Sequence, residues 1–211
     1  METIIIASGD LDLTPKIAQI ITKARLIICA DGGARHLRAL NILPHVLIGD
    51  FDSIHPDDRA FLIEQKVRQI QFPSKKDQTD SELCVMWAVE QGATKVTLLG
   101  VTGSRLDHTL ANIFLLKKLA EHHIPARIIN SNNELYLVLD SLELSGHPGD
   151  LLSIIPITDT VSGVTLKGLE FSMKDGRIEM GSSLGISNRF IQNNVSVRIK
   201  KGGVIVTKSK D

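Results

Sequence analysis

The chain has 211 residues, too long for one small domain and too short for two large ones, with enough apolar content for a buried core. Its 24 basic and 24 acidic residues cancel, which argues against a protein held on nucleic acid by a basic surface. The start, Met1-Glu-Thr-Ile-Ile-Ile-Ala7, lacks the features of a signal peptide, and no apolar run approaches membrane-spanning length, so a cytoplasmic protein without a membrane partner is expected.

Thr3–Ser8 reads as a β-rich run ending in Gly9-Asp10. Thr14-Pro15 opens a helix to about Ala24, with proline at the favoured first position. Leu26–Ala30 is the next strand, followed by Asp31-Gly-Gly and a helix to Leu40. Val46–Gly49 is a short strand, Pro56 starts a helix to about Lys66, and Val67–Phe72 is a strand. Thr79–Gln91 is a helix closed by Gly92, Val96–Gly100 a strand, Leu106–His122 a helix and Arg127–Asn130 a last strand. Strands without alternation, separated by helices, indicate a mostly parallel sheet covered on both faces, a Rossmann-like three-layer α/β domain. The two cysteines, Cys29 in a strand and Cys84 in a helix, have no metal or redox spacing and are expected as buried thiols of a reducing compartment.

The texture changes near residue 130, which sets the expected domains at 1–130 and 131–211. Beyond it come short β-rich runs, Leu135–Leu139, Leu151–Pro156, Val161–Leu166, Val195–Ile199 and Val204–Thr207, punctuated by Gly, Asn, Asp and Ser. Such spacing suggests an all-β sandwich or partial barrel. Lys200-Lys-Gly-Gly203 reads as a hairpin turn, and the C-terminal lysines as solvating that hairpin and a tail.

The chemistry lies in acidic motifs that follow strands: Asp31-Gly-Gly-Ala34, Gly49-Asp-Phe-Asp-Ser53, Lys76-Asp-Gln-Thr-Asp80 and Gly103-Ser-Arg-Leu-Asp-His108. Right-handed crossovers place post-strand loops on one edge, where open parallel sheets bind ligands. A carboxylate-rich pocket there repels anions unless it holds hard cations, so Mg²⁺ carrying polyphosphate is expected, and with it phosphoryl or diphosphoryl transfer. Asp50 and Asp52, two apart in an extended segment, would project to one side and share metal. Each motif also has a purely structural reading. Ser53 or Asp57 could cap the following helix; Thr79 and Glu82 fit a capping box, as do Ser104 and Asp107; Asp31 could be an N-cap. Lys75 or Lys76 could reach a phosphate, and Arg105 offers a planar fork for one. Gly181-Ser-Ser-Leu-Gly-Ile-Ser-Asn188 is dense enough in hydroxyls and amide to read a heterocycle edge, or is simply a turn-rich loop.

In their order and spacing, Asp31-Gly-Gly, Gly49-Asp-Phe-Asp-Ser53, Asp77-x-Thr-Asp80, Thr102-Gly-x-Arg-x-Asp-His108 and Ser182-Ser-x-Gly-x-Ser-Asn188, spanning nearly the whole chain, resemble the thiamine pyrophosphokinase family. The resemblance implies an α/β ATP- and Mg²⁺-binding domain before a β-sandwich thiamine-binding domain. It implies a homodimer with the vitamin between subunits, and transfer of the diphosphate of ATP to thiamine with release of AMP. It places Mg²⁺ on Asp50, Asp52 and Asp80, which are the catalytic set. It places the nucleotide on Asp31, Gly32, Lys76, Asp77, Thr79, Thr102, Gly103, Arg105, Asp107 and His108, and the thiamine pyrimidine on Ser183, Ser187 and Asn188. Eukaryotic members stack a C-terminal aromatic residue on thiamine; this tail has none, and Phe190 is the candidate substitute. The competing readings are a diphosphokinase for another hydroxymethyl heterocycle such as a pterin, a simple kinase, and a non-catalytic nucleotide or thiamine sensor.

Overall fold

A computed structural model of the chain describes residues 1–210. Its contacts separate two units, the first Met1–Ser131 and the second from Asn132 onward.

The first unit is built on β1 (Glu2–Ile6), β2 (Leu26–Ala30), β3 (Val46–Gly49), β4 (Arg68–Gln71), β5 (Lys95–Leu99) and β6 (Ala126–Ile129). They pair in parallel in the order β6-β5-β1-β2-β3-β4. Five helices connect them: α1 (Pro15–Thr22), α2 (Ala34–Ala39), α3 (Pro56–Glu64), α4 (Asp80–Glu90) and α5 (Leu106–Glu121). The near-continuous apolar strands are what a doubly covered sheet requires. Ile4, Ile6, Ile27, Cys29 and Leu47 turn to one face, where Ile17 and Ile21 of α1, Leu37 of α2 and Leu62 of α3 cover them. Alternation sends Ile5 and Ile28 to the other face, and α4 packs against β1, β2 and β3. Both cysteines are free and buried. The chain steps from β1 out to β4 and then returns to lay β5 on the other side of β1. Strand order thus reverses between β1 and β5, the kind of switch point beside which open α/β sheets bind ligands.

Helix ends correct several local expectations. Thr79 caps α4 as read from the sequence, and Thr14 caps α1 ahead of Pro15, each hydroxyl accepting a backbone N–H. The cap of α3 is neither Ser53 nor Asp57 but His55, whose Nδ1 accepts from the Asp57 N–H at 3.3 Å. Asp31 is no N-cap; it lies in a 3₁₀ turn, Asp31–Gly33, and points elsewhere. Ser104 does not cap α5 either: Arg105 holds that position without a side-chain bond.

Among its described residues the second unit has only strands as regular elements: β7 (Asn133–Val138), β8 (Ser141–Ser145), β9 (Leu151–Pro156), β10 (Thr160–Lys167), β11 (Met173–Glu179), β12 (Asn188–Arg189), β13 (Asn194–Arg198) and β14 (Val204–Ser209). They form two antiparallel layers, β12-β9-β14-β7 and β11-β10-β13-β8. Val138, Leu152, Ile154, Val204 and Val206 of one layer meet Val161, Val164, Leu166, Ile178, Val195 and Val197 of the other, as in a sandwich. The strands β8, β11 and β12 are not among those expected from the sequence. Lys200-Lys-Gly-Gly203 is also not the expected hairpin: β13 and β14 belong to different layers, so this segment is a sheet-switching corner, with Gly202 at φ +98°. Nor does Lys208 solvate a tail. It lies over the Phe190 ring, 5.2 Å from its centroid, and pairs with Asp150 at 3.0 Å. Among the described residues no helix is long and apolar enough to cross a membrane.

Candidate active site

Asp31 follows the end of β2, and Asp50 and Asp52 follow β3, its parallel neighbour, so the sheet itself brings them together. Asp31, Asp50 and Asp52 each offer a carboxylate oxygen, and these oxygens lie within 4.8 Å of one another. The loop is not extended as expected. Phe51 sits at φ +67°, and this turn faces both neighbouring carboxylates inward, with the Asp52 N–H donating to Asp50 Oδ1 at 3.2 Å. Arg59 of α3 stacks over the Phe51 ring at 4.5 Å and holds the turn. Gly49 has no room for a side chain: a Cβ there would lie 3.0 Å from Asp31 Cβ and 3.3 Å from Asp80 Cγ.

Asp31 is 3% exposed. Its Oδ2 accepts from the Ser53 N–H at 3.0 Å, while its Oδ1 is buried without a hydrogen bond. Burial pushes its carboxyl up to about 6; the Ser53 N–H opposes this, and Asp80, Asp52 and Asp50 add to it. Asp80, in the first turn of α4, is also raised, by burial first, against the pull of Lys76. Lys76 Nζ lies 3.2 Å from Asp50 Oδ2 and 3.1 Å from Asp80 Oδ1, the latter an ion pair without hydrogen-bond alignment. Burial works against the Asp50 carboxylate, but the Asp52 N–H and Lys76 outweigh it and hold the group below its ordinary value. The acidic cluster of closest approach is therefore Asp31, Asp50 and Asp52, with Asp80 joined to it through Lys76. Buried carboxylate oxygens that lack donors are a hard-cation donor set, and the cluster can bind a metal.

Beside it, at the crevice between β1 and β5, is a cavity of about 430 Å³. Ser8, Gly9 and Asp10 form one wall and Gly100 to Arg105 the other, with Arg35, Ser53, Ser81 and His108 also lining it. The walls are stitched together: Gly9 N–H donates to Gly100 O at 2.6 Å and Asp10 N–H to Thr102 O at 2.7 Å. A Cβ on Gly9 would collide with both carbonyls, at 2.5 Å and 2.4 Å. From α2, Arg35 donates to Ser8 O at 2.7 Å, and the buried His36 lies 2.9 Å from Gly9 O. Thr109 accepts from the Gly103 N–H at 3.1 Å, Asn112 donates to Val101 O at 2.8 Å, and Asn130 donates to Thr102 Oγ1 at 3.2 Å. Thr102, Gly103, Arg105 and His108 thus line the cavity, while Gly32 is packed beneath Ser8 and Ser53. Asp107 is off the lining. It takes up the Arg105 fork at 2.6 Å and 3.3 Å, so the guanidinium is paired at the rim. Asp77 is exposed, and the Thr79 hydroxyl is spent on the α4 cap.

The second unit has a separate cavity of about 460 Å³ lined by Phe171, Ser182, Ser183, Leu184, Gly185, Ile186 and Asn188. Ser183 lines it. Asn188 instead braces the backbone, its Nδ2 donating to Phe171 O at 2.8 Å and its Oδ1 accepting from Phe171 N–H at 2.9 Å. Ser187 is at φ +56°, its N–H donating to Ser153 Oγ at 3.1 Å, and is not part of the lining. Phe190 cannot stack on a ligand, because it is 1% exposed and its ring carries Lys208. The aromatic group that the cavity does present is Phe171, 66% exposed.

Residues 17–128 match the family model described as thiamin pyrophosphokinase, catalytic domain, and residues 141–204 that of thiamin pyrophosphokinase, vitamin B1 binding domain. The chain belongs to the thiamin pyrophosphokinase family. It is 31% identical over 222 residues to the thiamine pyrophosphokinase of Bacillus subtilis, covering all of both chains. A crystal structure of that Bacillus subtilis protein superposes over the full length of both with a TM-score of 0.91. The thiamin pyrophosphokinase of Geobacillus thermodenitrificans gives 0.85 at 29% identity, covering 100% of this chain and 98% of that one.

For a thiamin pyrophosphokinase, sequence reasoning omits Ser8-Gly9-Asp10, Arg35, Thr109 and Asn112 at the first cavity and Phe171 at the second. Gly9-Asp10 after the first strand is the one available signal. Arg35, Thr109 and Asn112 lie on helices as ordinary polar residues, and only the return of β5 to the side of β1 gives them a site.

Proposed function

We propose that the chain transfers the terminal diphosphate of ATP to the hydroxyl of thiamine, yielding thiamine diphosphate and AMP. ATP occupies the cavity between Ser8-Gly9-Asp10 and Gly100–Arg105. Mg²⁺ is held by Asp50, Asp52 and Asp80, with Asp31 as a further carboxylate. Bound there, the cation neutralises phosphate oxygens as charge shifts in transfer. The thiamine hydroxyl oxygen bonds to the β-phosphorus, the bridge to the α-phosphorus breaks, and the hydroxyl proton leaves with solvent or an acceptor carboxylate. Thiamine's aromatic rings stack on Phe171 beside Ser183, while Asn188 fixes Phe171 by its backbone. A second copy of the chain covers the exposed Leu184 and Ile186 at that cavity, making a homodimer. Two buried free thiols suit the reducing cytoplasm. The observation that carries the reading is the set of Asp31, Asp50 and Asp52, with a buried unpaired oxygen, next to the β1/β5 cavity. The test is to incubate protein, ATP, Mg²⁺ and thiamine and identify the nucleotide product. Thiamine-dependent AMP is expected; ADP, or no product, overturns the assignment.

A further inference from the structure

Lys76 occupies an unusual place for a residue expected to bind phosphate. Its side chain is 12% exposed, and its ammonium bridges Asp50 Oδ2 at 3.2 Å and Asp80 Oδ1 at 3.1 Å. The acidic group it joins is crowded: Asp31, Asp50 and Asp52 each offer a carboxylate oxygen within 4.8 Å of one another, and Asp80 meets Asp50 across the same ammonium. One ammonium is the local counter-charge, and it touches two of the carboxylates assigned above to the metal. A Mg²⁺ ion held by the same carboxylates at about 2.0–2.1 Å would stand close to that ammonium, and the repulsion between the two cations sets them in competition for Asp50 and Asp80. The lysine stem is flexible and its charge is a compact point, so the ammonium can swing away if an anion receives it.

We propose that Lys76 is a resident stand-in for the metal: it binds Asp50 and Asp80 in the free protein, and the divalent cation displaces it onto the phosphates of the incoming nucleotide. The proposal rests on the metal reading of Asp50 and Asp80. It makes metal and nucleotide binding mutually reinforcing. Without nucleotide, the expelled ammonium loses two anionic partners and gains only water. With nucleotide, it exchanges carboxylates for phosphate oxygens. The free protein therefore keeps its carboxylates neutralised and closed to bare metal, and admits metal when the triphosphate arrives. The same device fixes the order of preference between ligands without any movement of the sheet.

The test measures binding of Mn²⁺ alone, by calorimetry and by the loss of its free-ion electron spin resonance signal, with and without a non-hydrolysable ATP analogue. The wild-type protein is expected to bind Mn²⁺ weakly alone and much more tightly with the analogue. Lys76→Met and Lys76→Gln are expected to bind Mn²⁺ alone tighter by about 10-fold or more, the worth of two charge-assisted contacts, with the enhancement by analogue reduced in proportion. Lys75→Met removes one exposed positive charge next door and controls for the general field; its change stays within about 3-fold. Lys76 variants that bind Mn²⁺ alone no better than the Lys75 variant overturn the exchange while leaving the metal reading intact. Wild-type protein that binds no Mn²⁺ even with the analogue overturns both. A crystal structure of the wild type with Mn²⁺ and analogue gives a check independent of the variants' folding. Lys76 Nζ is expected off Asp50 and Asp80 and on phosphate; metal bound with Lys76 still bridging both carboxylates refutes the proposal.

Discussion

Gly49→Ala separates the assembly of the site from the stability of the fold. The backbone at Gly49 is the last residue of β3, and the missing Cβ would sit 3.0 Å from Asp31 Cβ and 3.3 Å from Asp80 Cγ. Carbon atoms in contact prefer about 3.5–4.0 Å, so the two aspartates must part by about half an ångström each. Both belong to structured segments, the 3₁₀ turn after β2 and the first turn of α4, and neither is the free end of a flexible chain. Overpacking of this size costs about 1–3 kcal/mol, or a melting point lower by a few degrees at about 2–4 °C per kcal/mol. The effect on turnover is larger for its cause, because displacement of a positioned group by part of an ångström to 1 Å lowers kcat by about 10- to 100-fold. The assay is thiamine-dependent AMP release at saturating substrates, with a thermal melt of the same preparation. Gly92→Ala is the control: Gly92 has φ +72° with nothing within 4 Å of a Cβ, so alanine there costs about 1–2 kcal/mol of backbone strain and leaves kcat unchanged. Wild-type kcat in Gly49→Ala, or equal losses of kcat in both variants, would refute the claim that Gly49 exists to let Asp31 and Asp80 converge.

Asp52→Asn keeps its melting point, since the side chain is exposed, but loses at least about 100-fold in turnover; near wild-type AMP release at saturating Mg²⁺ removes Asp52 from the metal set. Asn188→Ala leaves the Phe171 N–H and C=O unpaired, costs about 2 kcal/mol or more in denaturant unfolding, and raises KM for thiamine well beyond KM for ATP; equal rises in both KM values would show general damage and not a thiamine subsite. Lys208→Met leaves the largely buried Asp150 without its cation and lowers stability by about 2–3 kcal/mol at neutral pH. Asp150 has its folded carboxyl below the ordinary 3.8, because Lys208 and the His147 N–H outweigh burial. Its stabilisation is complete above that ordinary value and disappears as pH falls through the lower, folded one. Urea midpoints of the wild type and Lys208→Met should therefore converge below about pH 4, and a gap that stays constant to about pH 2 contradicts the pairing.

The layer structure of the first unit was legible because most of its strands are uninterrupted apolar runs separated by helices, two of which, α1 and α4, open on a threonine cap. The second unit was legible only where strands face the core. β11, Met-Lys-Asp-Gly-Arg-Ile-Glu, is an edge strand with one fully buried side chain, so alternation has almost nothing to act on. β8 alternates, but every residue keeps some exposure and its apolar positions are only two leucines. The corner at Lys200–Gly203 has the composition of a hairpin, and composition does not say which layer the next strand joins. At the site, the aspartates could be named from their positions after strands, but their partners could not. Asp31, expected on the nucleotide side, crowds Asp50 and Asp52, because its turn has φ +38° and its carboxylate accepts from the Ser53 N–H. Asn188 was expected to face ligand, and its amide faces the backbone of Phe171, 17 residues earlier in the chain.

Several unfavourable features of the first unit meet at the acidic cluster, although Asn41, Lys66 and His123 also hold positive φ just after α2, α3 and α5. Asp31 and Phe51 hold positive φ without being glycine, Asp31 Oδ1 is buried and unbonded, and burial disfavours charge on both Asp31 and Asp80. Each strained residue alone costs about 1–2 kcal/mol. The neighbouring strands supply the compensation: Ile28, Cys29, Leu47 and Ile48 are fully buried immediately before these loops. A cation bound at this cluster would relieve the carboxylate repulsion that the fold imposes. Ligand present at about 100 times its Kd adds about 2.7 kcal/mol to stability by mass action. With Lys76 already seated on Asp50 and Asp80, that gain should arrive only when Mg²⁺ and the ATP analogue are added together. A melting curve shifted as much by Mg²⁺ alone would mean that the ammonium and the metal do not compete for Asp50 and Asp80.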